Sequence, residues 1–380
     1  MTISEQTILN EFPLRPGLIY LNHAAVSPWP LRTAQAIKQF AEENAAQGSL
    51  AYPHWLDIEA ELRQQCRQLI NAPGSDDIAL LKNTSEALSV VAYGLDWSRG
   101  DNIVISDQEF PSNRIVWQSL QRYGVDVRIA PIDMQAKDPE QALMQCCDHR
   151  TRLLAISSIQ YATGFRADLE TLGSYCRTND ILFCVDAIQS IGAVSLDVQR
   201  IGADFVMADG HKWMLAPEGL ALFYCSERIR EKLTLRQYGW HMTQDYLNFN
   251  QTDWQPAAGG RRFECGSPNM LGIYGLHASL SLLLEAGMEQ VESRVLERAD
   301  MIMQVVQDSP RLELVTPAQP GRYGGIVAFR HKTIDAETCH QRLTQQQVSC
   351  AARGDAIRYA PHFYTTKDAI TRAMALVDAL

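Results

Sequence analysis

The chain has 380 residues, of which 46% are hydrophobic and 21% are charged, a composition typical of a globular protein. Its formal net charge of -10 offers no overall basic surface for phosphate contacts, so nucleic-acid binding is not expected. No apolar run approaches the ~20 residues of a membrane helix, which argues against a membrane protein, and the length predicts two domains.

Short apolar runs alternate with amphipathic stretches between about residues 20 and 225. This alternation is typical of a mostly parallel β-sheet with helices on both faces, so we predict an α/β fold. The predicted strands are 78–81, 102–106, 125–129, 153–157, 182–185, 205–208 and 220–224. The predicted helices between them include 85–93, 112–123 and 168–178. Ligands of such sheets bind at the carboxyl ends of the strands.

The turn after the first of these strands reads L-K-N-T-S-E, residues 81–86. Backbone N–H groups and the helix dipole at such a helix start can bind a phosphate, with Thr84 or Ser85 adding a hydroxyl donor. The alternative is that one of the two hydroxyl residues only caps the helix. The turn alone leaves both interpretations open.

An acid and a lysine follow two later strands: Asp186 ends one apolar strand, and Lys212 comes just after the next. Pyridoxal phosphate (PLP) needs a lysine amine to hold its aldehyde as a Schiff base, and a carboxylate to keep its pyridine nitrogen protonated. Asp186 and Lys212 can supply these two functions. A buried carboxylate also needs a partner, although a helix-capping role for Asp186 stays open.

The pattern changes beyond about residue 285. A long amphipathic helix over 289–306 precedes strands near 312–315 and 326–329 and a helix over 336–346. We predict a large PLP-binding domain over 16–284, and a smaller α/β domain formed by 1–15 and 285–380.

The lysine segment D-G-H-K-W, residues 209–213, and the acid segment D-A-I-Q, residues 186–189, resemble the lysine and D-x-x-Q motifs of the class V aminotransferase family. This family belongs to PLP fold type I, and the similarity spans nearly the whole chain. It implies that Lys212 holds the cofactor and moves protons, that Asp186 pairs with the pyridine nitrogen, and that Gln189 contacts the phenolic oxygen. It also places Asp209 beside the cofactor, and His211, Thr84 and Ser85 at its phosphate.

Weaker segments follow in the family's order. The resemblance implies that Phe110, in E-F-P-S-N, stacks on the cofactor ring, and that Gln160 lies near its phenolic side. Ser267, in R-F-E-C-G-S-P-N, corresponds to a hydroxyl residue that reaches the neighbouring subunit's phosphate, which implies a homodimer. Arg358 corresponds to the arginine that binds the substrate α-carboxylate, and His23 lies in a substrate segment. Phe110 as a core residue and Arg358 as an ion-pair partner are the structural alternatives.

We therefore predict an aminotransferase or lyase that acts at Cα of a small amino acid. Cysteine desulfurases of the family carry a histidine at the stacking position and a cysteine loop before the arginine. Here the stacking residue is Phe110, the stretch 353–358 is too short for that loop, and Cys350 lies upstream of it. Cysteine desulfuration, C–S lysis and amino-acid epimerisation are alternatives, and a non-catalytic binding protein of the same fold is a more distant one.

The nine cysteines include no C-x-x-C pair, so we expect reduced thiols and no metal ion. The start, M-T-I-S-E-Q, shows no secretory signal, and we expect a cytoplasmic protein.

Overall fold

The computed structural model describes residues 3–380. Its strands are β1 (Ile19–Tyr20), β2 (Ile78–Leu81), β3 (Asn102–Ser106), β4 (Asp126–Ala130), β5 (Thr151–Ser157), β6 (Leu182–Asp186), β7 (Phe205–Asp209), β8 (Ala221–Cys225), β9 (Leu312–Leu314), β10 (Val327–His331), β11 (Val348–Ser349), β12 (Ala351–Arg353) and β13 (Ala356–Tyr359).

The α-helices are α1 (Glu5–Asn10), α2 (Leu31–Gln47), α3 (Tyr52–Ile70), α4 (Thr84–Gly94), α5 (Ser112–Gln118), α6 (Gln141–Cys146), α7 (Leu169–Thr178), α8 (Val198–Ile201), α9 (Glu227–Arg230), α10 (Met270–Ala286), α11 (Met288–Asp308), α12 (Ala336–Gln345) and α13 (Lys367–Asp378). Short 3-10 helices cover Ser75–Asp77, Ser119–Tyr123 and Gly260–Phe263.

A seven-stranded sheet with the order β2-β8-β7-β6-β5-β3-β4 forms the centre of the fold. Its strands pair in parallel except β8, which is antiparallel to both β2 and β7. The predicted α/β fold with a mostly parallel sheet is confirmed. The strand predicted at 220–224 is the antiparallel one, a direction that an apolar run does not reveal.

Both faces of this sheet are buried. On β6 and β7, Val185 and Ala208 belong to one hydrophobic cluster, whereas Cys184 and Met207 belong to the cluster on the opposite face. Alternate side chains of a strand point to opposite faces, so an uninterrupted apolar strand indicates a sheet covered on both sides. The polar residues of these strands therefore lie at the strand ends.

A smaller antiparallel sheet, with the order β12-β13-β10-β9, lies against α11, α12 and α13. Its hydrophobic cluster includes Ile19 and Leu21, because β1 pairs in parallel with β11. Ile8 and Phe12 instead belong to one of the clusters of the large sheet. The predicted division of the chain into a large domain (16–284) and a smaller domain (1–15 with 285–380) stays a proposal.

Within residues 3–380, no single helix is both long and apolar enough to cross a membrane. The bent pair α10 and α11 meets the test of length and composition together, with an angle of 84° between the two helices.

Candidate active site

The carboxyl ends of the central strands meet at one edge of the large sheet and surround a cavity of about 240 Å³. Asp186 is the last residue of β6 and Asp209 the last residue of β7, while α4 begins directly after the turn that follows β2. Lys212 follows β7 by three residues. Most of the predicted site residues line this cavity: Thr84, Ser85, Phe110, Asp186, Gln189, Asp209, His211, Lys212 and Arg358.

A close backbone approach joins the turns that carry the acid and the lysine. Gly192 has a φ of +94°, and a Cβ atom at this position would overlap the backbone of Trp213 and Met214. Only glycine therefore allows the turn after Asp186 to lie directly against the segment that follows Lys212.

Three predicted residues do not line the cavity. Gln160 is buried behind it and donates hydrogen bonds to Ser106 Oγ at 3.1 Å and Glu109 Oε1 at 2.8 Å. His23 is buried, with ring nitrogens 2.7 Å from the Ala360 carbonyl oxygen and 2.7 Å from the Tyr364 hydroxyl. Ser267 lines a separate surface depression.

Arg353 also lines the cavity, although it was not among the predicted site residues. Arg353 lies opposite Ala356 in the β12–β13 hairpin, and Ala356 lies two residues before Arg358. The two arginines therefore lie on the same face of the hairpin, about 7 Å apart along it. The sequence feature that could have predicted this pair is two arginines on either side of a Gly-Asp turn. It indicates a shared face only when the register of the hairpin is known. The other lining residues not predicted are Ala24, Ala25, Ser112, Tyr161 and Ile188.

Burial moves both members of the acid–lysine pair toward neutrality. Asp186 is 2% exposed and accepts a hydrogen bond from the Ile188 amide at 3.1 Å. Burial raises the pKa of Asp186, although this amide hydrogen bond opposes the change. Burial lowers the pKa of Lys212, although the charge of Asp186 opposes it. An amine with a lowered pKa is a better nucleophile and base near neutral pH.

His211 and Asp209 lie beside the lysine. Burial, assisted by the charge of Lys212, lowers the pKa of His211 to about 4, so the imidazole is neutral at pH 7. Burial raises the pKa of Asp209 to about 6, and Oδ1 of Asp209 has no hydrogen-bond partner among residues 3–380. These groups give the cavity buried acceptors that can interact with a ligand.

The start of α4 presents free donors to the cavity. Thr84 Oγ1 is buried without a partner in the described part of the chain. Asn83 caps the helix by accepting a hydrogen bond from the Glu86 amide at 2.8 Å, and Ser85 Oγ donates to Ser112 Oγ at 2.9 Å. The capping role thus belongs to Asn83 rather than to Thr84 or Ser85; both residues line the cavity, and the Thr84 hydroxyl is the one left without a partner.

The Phe110 ring is 40% exposed and lies at the cavity wall. It contacts the Tyr161 ring edge to face, with centroids 5.1 Å apart, and Lys212 Nζ lies 5.5 Å from its centroid. The preceding Glu109 is fixed by hydrogen bonds from Ser106, Asn113, Ser157 and Gln160. This buried network holds Phe110 in place with part of its ring uncovered.

Arg358 is a buried cation without a carboxylate partner. It is 1% exposed, and its guanidinium donates to the Tyr161 carbonyl oxygen at 2.7 Å and to Asn22 Oδ1 at 3.4 Å. Its Nε has no partner, and neither Arg353 nor Arg358 forms an ion pair within residues 3–380. Burial, followed by the charge of Arg353, lowers the pKa of Arg358 to about 9. Because an unpaired buried charge is costly, this guanidinium is suited to binding an anion.

Comparison with known proteins identifies the family. The family model described as Aminotransferase class-V matches residues 19–373. The chain belongs to the class V aminotransferase family. Members of this family use PLP, so this protein is a PLP-dependent enzyme, and the predicted cofactor is confirmed. The comparison therefore does not favour the alternative of a non-catalytic binding protein.

The similar proteins found in the class V family include cysteine desulfurases. A protein of Methanothermobacter thermautotrophicus named probable cysteine desulfurase is 28% identical over an alignment of 386 positions. The alignment covers 96% of this chain and 95% of that protein. A cysteine desulfurase of Salmonella typhimurium is 27% identical over 353 residues, covering 88% and 85%.

Solved structures establish the fold of this class V chain as PLP fold type I, as predicted. A lysine mutant of C-DES, with glycine covalently linked to its PLP cofactor, matches with a TM-score of 0.91 and 24% identity over 99% of each chain. The apo cysteine desulfurase from Thermococcus onnurineus matches with a TM-score of 0.90 and 21% identity, covering 100% of this chain and 99% of that one.

The cavity of this class V enzyme has groups that fit each part of PLP. The unpaired Thr84 hydroxyl and the start of α4 are suited to a phosphate. The uncovered Phe110 ring is suited to the flat pyridine ring. Gln189 accepts a hydrogen bond from Trp213 Nε1 at 2.8 Å and donates one to the Ala24 carbonyl oxygen at 3.1 Å. This leaves one amide hydrogen of Gln189 for the phenolic oxygen.

Asp209→Asn should stabilise the PLP-free class V enzyme above pH 6. The folded-state pKa of Asp209 is about 6 against 3.8 for the free side chain, so its stabilising contribution is present below about pH 4 and is lost as the pH rises through 6. The corresponding loss in the free energy of unfolding is roughly 3 kcal/mol. Urea unfolding of PLP-free protein at pH 5 and pH 8 should show a larger gain from the substitution at pH 8. An equal gain at both pH values would contradict the assignment.

Proposed function

We propose that this PLP-dependent enzyme is a C–S lyase that removes the sulfur substituent from Cβ of a small sulfur amino acid. An amino-acid disulfide such as cystine is the preferred substrate class. The observation that carries the proposal is a cavity that combines Lys212 with two arginines lacking carboxylate partners, and whose lining in the described chain contains no cysteine. This narrows the predicted aminotransferase or lyase to a lyase.

The similarity to proteins named cysteine desulfurase supports chemistry at a C–S bond. A desulfurase route that transfers sulfur to an enzyme thiol needs an accessible thiolate. Cys350 is 5% exposed, and burial raises the pKa of its thiol to about 12. The absence of a thiol from the described cavity lining favours release of sulfur on the departing group. The solved structures include the cystine C-S lyase C-DES with its product cysteine persulfide, a similarity of fold that agrees with this proposal.

Lys212 is the proposed base. Its amine, with a lowered pKa, takes the proton from the substrate Cα and holds it at Nζ. Bound PLP supplies the electron sink that makes this proton acidic. Asp186, which lines the cavity, would keep a proton on the pyridine nitrogen of bound PLP, while Arg358 would hold the α-carboxylate so that Cα faces Lys212. The Cβ–S bond then breaks, and its electron pair leaves with sulfur.

The overall reaction balances with one molecule of water. Cystine and water give pyruvate, ammonia and cysteine persulfide, whereas cysteine and water give pyruvate, ammonia and hydrogen sulfide. No oxidant or reductant is consumed.

Product analysis of the holoenzyme with L-cystine and L-cysteine tests the reaction. We expect equal amounts of pyruvate and ammonia, with persulfide from cystine. Alanine with transferred sulfur would instead identify a desulfurase. A keto acid that retains its sulfur would identify an aminotransferase, and inversion at Cα an epimerase.

Arg353→Gln tests the disulfide substrate class. Arg353 lies on the same hairpin face as Arg358, so it can bind the second carboxylate of cystine. A hydrogen bond to a charged group contributes about 1.5–3 kcal/mol, so kcat/KM for cystine should fall roughly 10- to 150-fold. Cysteine, which has one carboxylate, should be affected much less. Arg342→Gln, at an exposed position of α12 outside the cavity, is the control, and equal losses for both substrates would refute the role.

We further propose the homodimer that the family resemblance implied, with Ser267 at the partner's phosphate site. Ser267 lies outside this chain's own cavity, and the nearby loop exposes Tyr238, Phe249 and Trp254. Sedimentation analysis tests the assembly, and weaker PLP retention in Ser267→Ala tests the contact.

A further inference from the structure

A second cluster of ionisable groups lies away from the Lys212 cavity. Glu59 is on α3, His241 is in the loop that precedes the 3-10 helix Gly260–Phe263, and Glu264 directly follows that helix. One ligand atom from each of the three side chains lies within 4.8 Å of the other two. The three residues are 5%, 1% and 7% exposed, so the cluster is inside the protein.

The cluster contains polar atoms that the described chain leaves unpaired. Both ring nitrogens of His241 and Oε2 of Glu59 are buried without a hydrogen-bond partner within residues 3–380. Glu264 Oε2 lies 3.6 Å from Nδ1 of the imidazole, which is too long for a hydrogen bond. Buried polar groups nearly always have a hydrogen-bond partner or a bound ion, so the unpaired ring nitrogens indicate that a ligand binds this imidazole.

Arg63 accounts for only part of the charge. Its guanidinium bonds Glu264 at 2.7 and 2.8 Å and bonds Glu59 through Oε1. Arg261, which donates to the His241 and Thr243 carbonyl oxygens at 2.7 Å, is the second cation close to the two carboxylates. Glu59 Oε2 stays available, because Arg63 uses the other oxygen of that carboxylate.

The imidazole can act as a ligand through either ring nitrogen, because neither nitrogen of His241 has a hydrogen-bond partner among residues 3–380. A metal ion binds an imidazole through the lone pair of one ring nitrogen.

We propose that Glu59, His241 and Glu264 form a structural binding site for a divalent transition-metal ion of the zinc type. Imidazole nitrogen and carboxylate oxygen are zinc ligands at about 2.0–2.2 Å in a tetrahedral site, which places ligand atoms about 3.3–3.6 Å apart. The three atoms, which now lie within 4.8 Å of one another, therefore need to close by at most about 1.5 Å. Water completes the coordination, and Arg63 keeps its hydrogen bonds to Glu264 Oε1 and Glu59 Oε1.

The ion would join three separate parts of the chain. Glu59 belongs to α3, His241 to the loop with the exposed aromatic residues Tyr238, Phe249 and Trp254, and Glu264 to the segment that leads to Ser267. The ion would hold this loop against α3 and against the segment that contains Glu264. This role is independent of the reaction at Lys212.

Metal analysis of the holoenzyme tests the site. After treatment with chelator and dialysis, titration with Zn²⁺ alone should load one ion per chain and raise the melting temperature. Co²⁺ alone should give the visible absorption bands of a protein-bound ion. His241→Asn and Glu59→Gln should lose both effects while keeping PLP absorbance.

His149→Asn is the matched control, because His149 is exposed and distant in sequence from the cluster. Glu59→Gln keeps an oxygen acceptor for Arg63, so it maintains the test if His241→Asn fails to fold. No uptake of Zn²⁺ or Co²⁺ by the wild-type protein would overturn the proposal. Equal uptake by wild type, His241→Asn and Glu59→Gln would also overturn it.

Discussion

Lys212→Ala is expected to lower turnover by at least about 1000-fold, since general acid–base catalysis alone contributes 100- to 10,000-fold and the covalent hold on the cofactor is lost as well. Lys212 is the lysine that lines the cavity in the described chain, and burial gives its amine a lowered pKa. No neighbouring group can replace it, because Asp186 and His211 have no amine to hold PLP and burial lowers the pKa of the His211 imidazole to about 4.

Two measurements check this result. The visible absorbance band of lysine-bound PLP should disappear in Lys212→Ala, and pyruvate release should fall with it. Lys232→Ala removes an exposed lysine outside the cavity and should change neither. A Lys212→Ala protein that keeps full activity would end the assignment of the active site.

Arg358→Leu is expected to reduce kcat/KM by about 30- to 5000-fold, the range that corresponds to losing 2–5 kcal/mol from a buried charged contact. The buried guanidinium has no carboxylate partner in the described residues, so the substrate α-carboxylate is its proposed partner. Arg358→Lys keeps a charge but loses the planar pair of donors, so its activity should lie between those of the Arg358→Leu variant and the wild type.

Stability separates this role from a structural one. A buried cation without a carboxylate partner destabilises the substrate-free protein, so Arg358→Leu should keep or raise the melting temperature while activity falls. A drop in melting temperature with unchanged kcat/KM would show that the Tyr161 and Asn22 contacts, and not substrate binding, explain Arg358.

The central sheet was predictable because β2, β3, β5, β6 and β7 are short apolar runs buried on both faces. Their predicted bounds differ from the observed ones by at most two residues. The helices α2, α3, α10 and α13 were not predicted. In α10 the buried residues surround much of the helix, from Met270 to Ala286, so its sequence lacks the polar face that marks an amphipathic helix.

Much of the site was predictable for a related reason: polar residues at strand ends are local features, and the motifs around Asp186 and Lys212 lie within single segments. Arg353 was missed because its position depends on the pairing of β12 with β13, which are three and four residues long. His23 and Gln160 carry no local sign of the contacts that bury them, since their partners are 337 and 51 residues away in the chain.

The proposed catalytic residues and the proposed substrate-binding arginines of this enzyme lie on different sheets, and this separation affects how the enzyme can evolve. Asp186 ends a strand of the large sheet and Lys212 follows another, whereas Arg353 and Arg358 belong to a hairpin whose Ile357 and Tyr359 pack in the hydrophobic cluster of the smaller sheet. If the arginines select the substrate as proposed, new specificities can arise by drift in one short hairpin without disturbing the catalytic machinery. A library confined to residues 353–358 is therefore an economical starting point for directed evolution of new substrates.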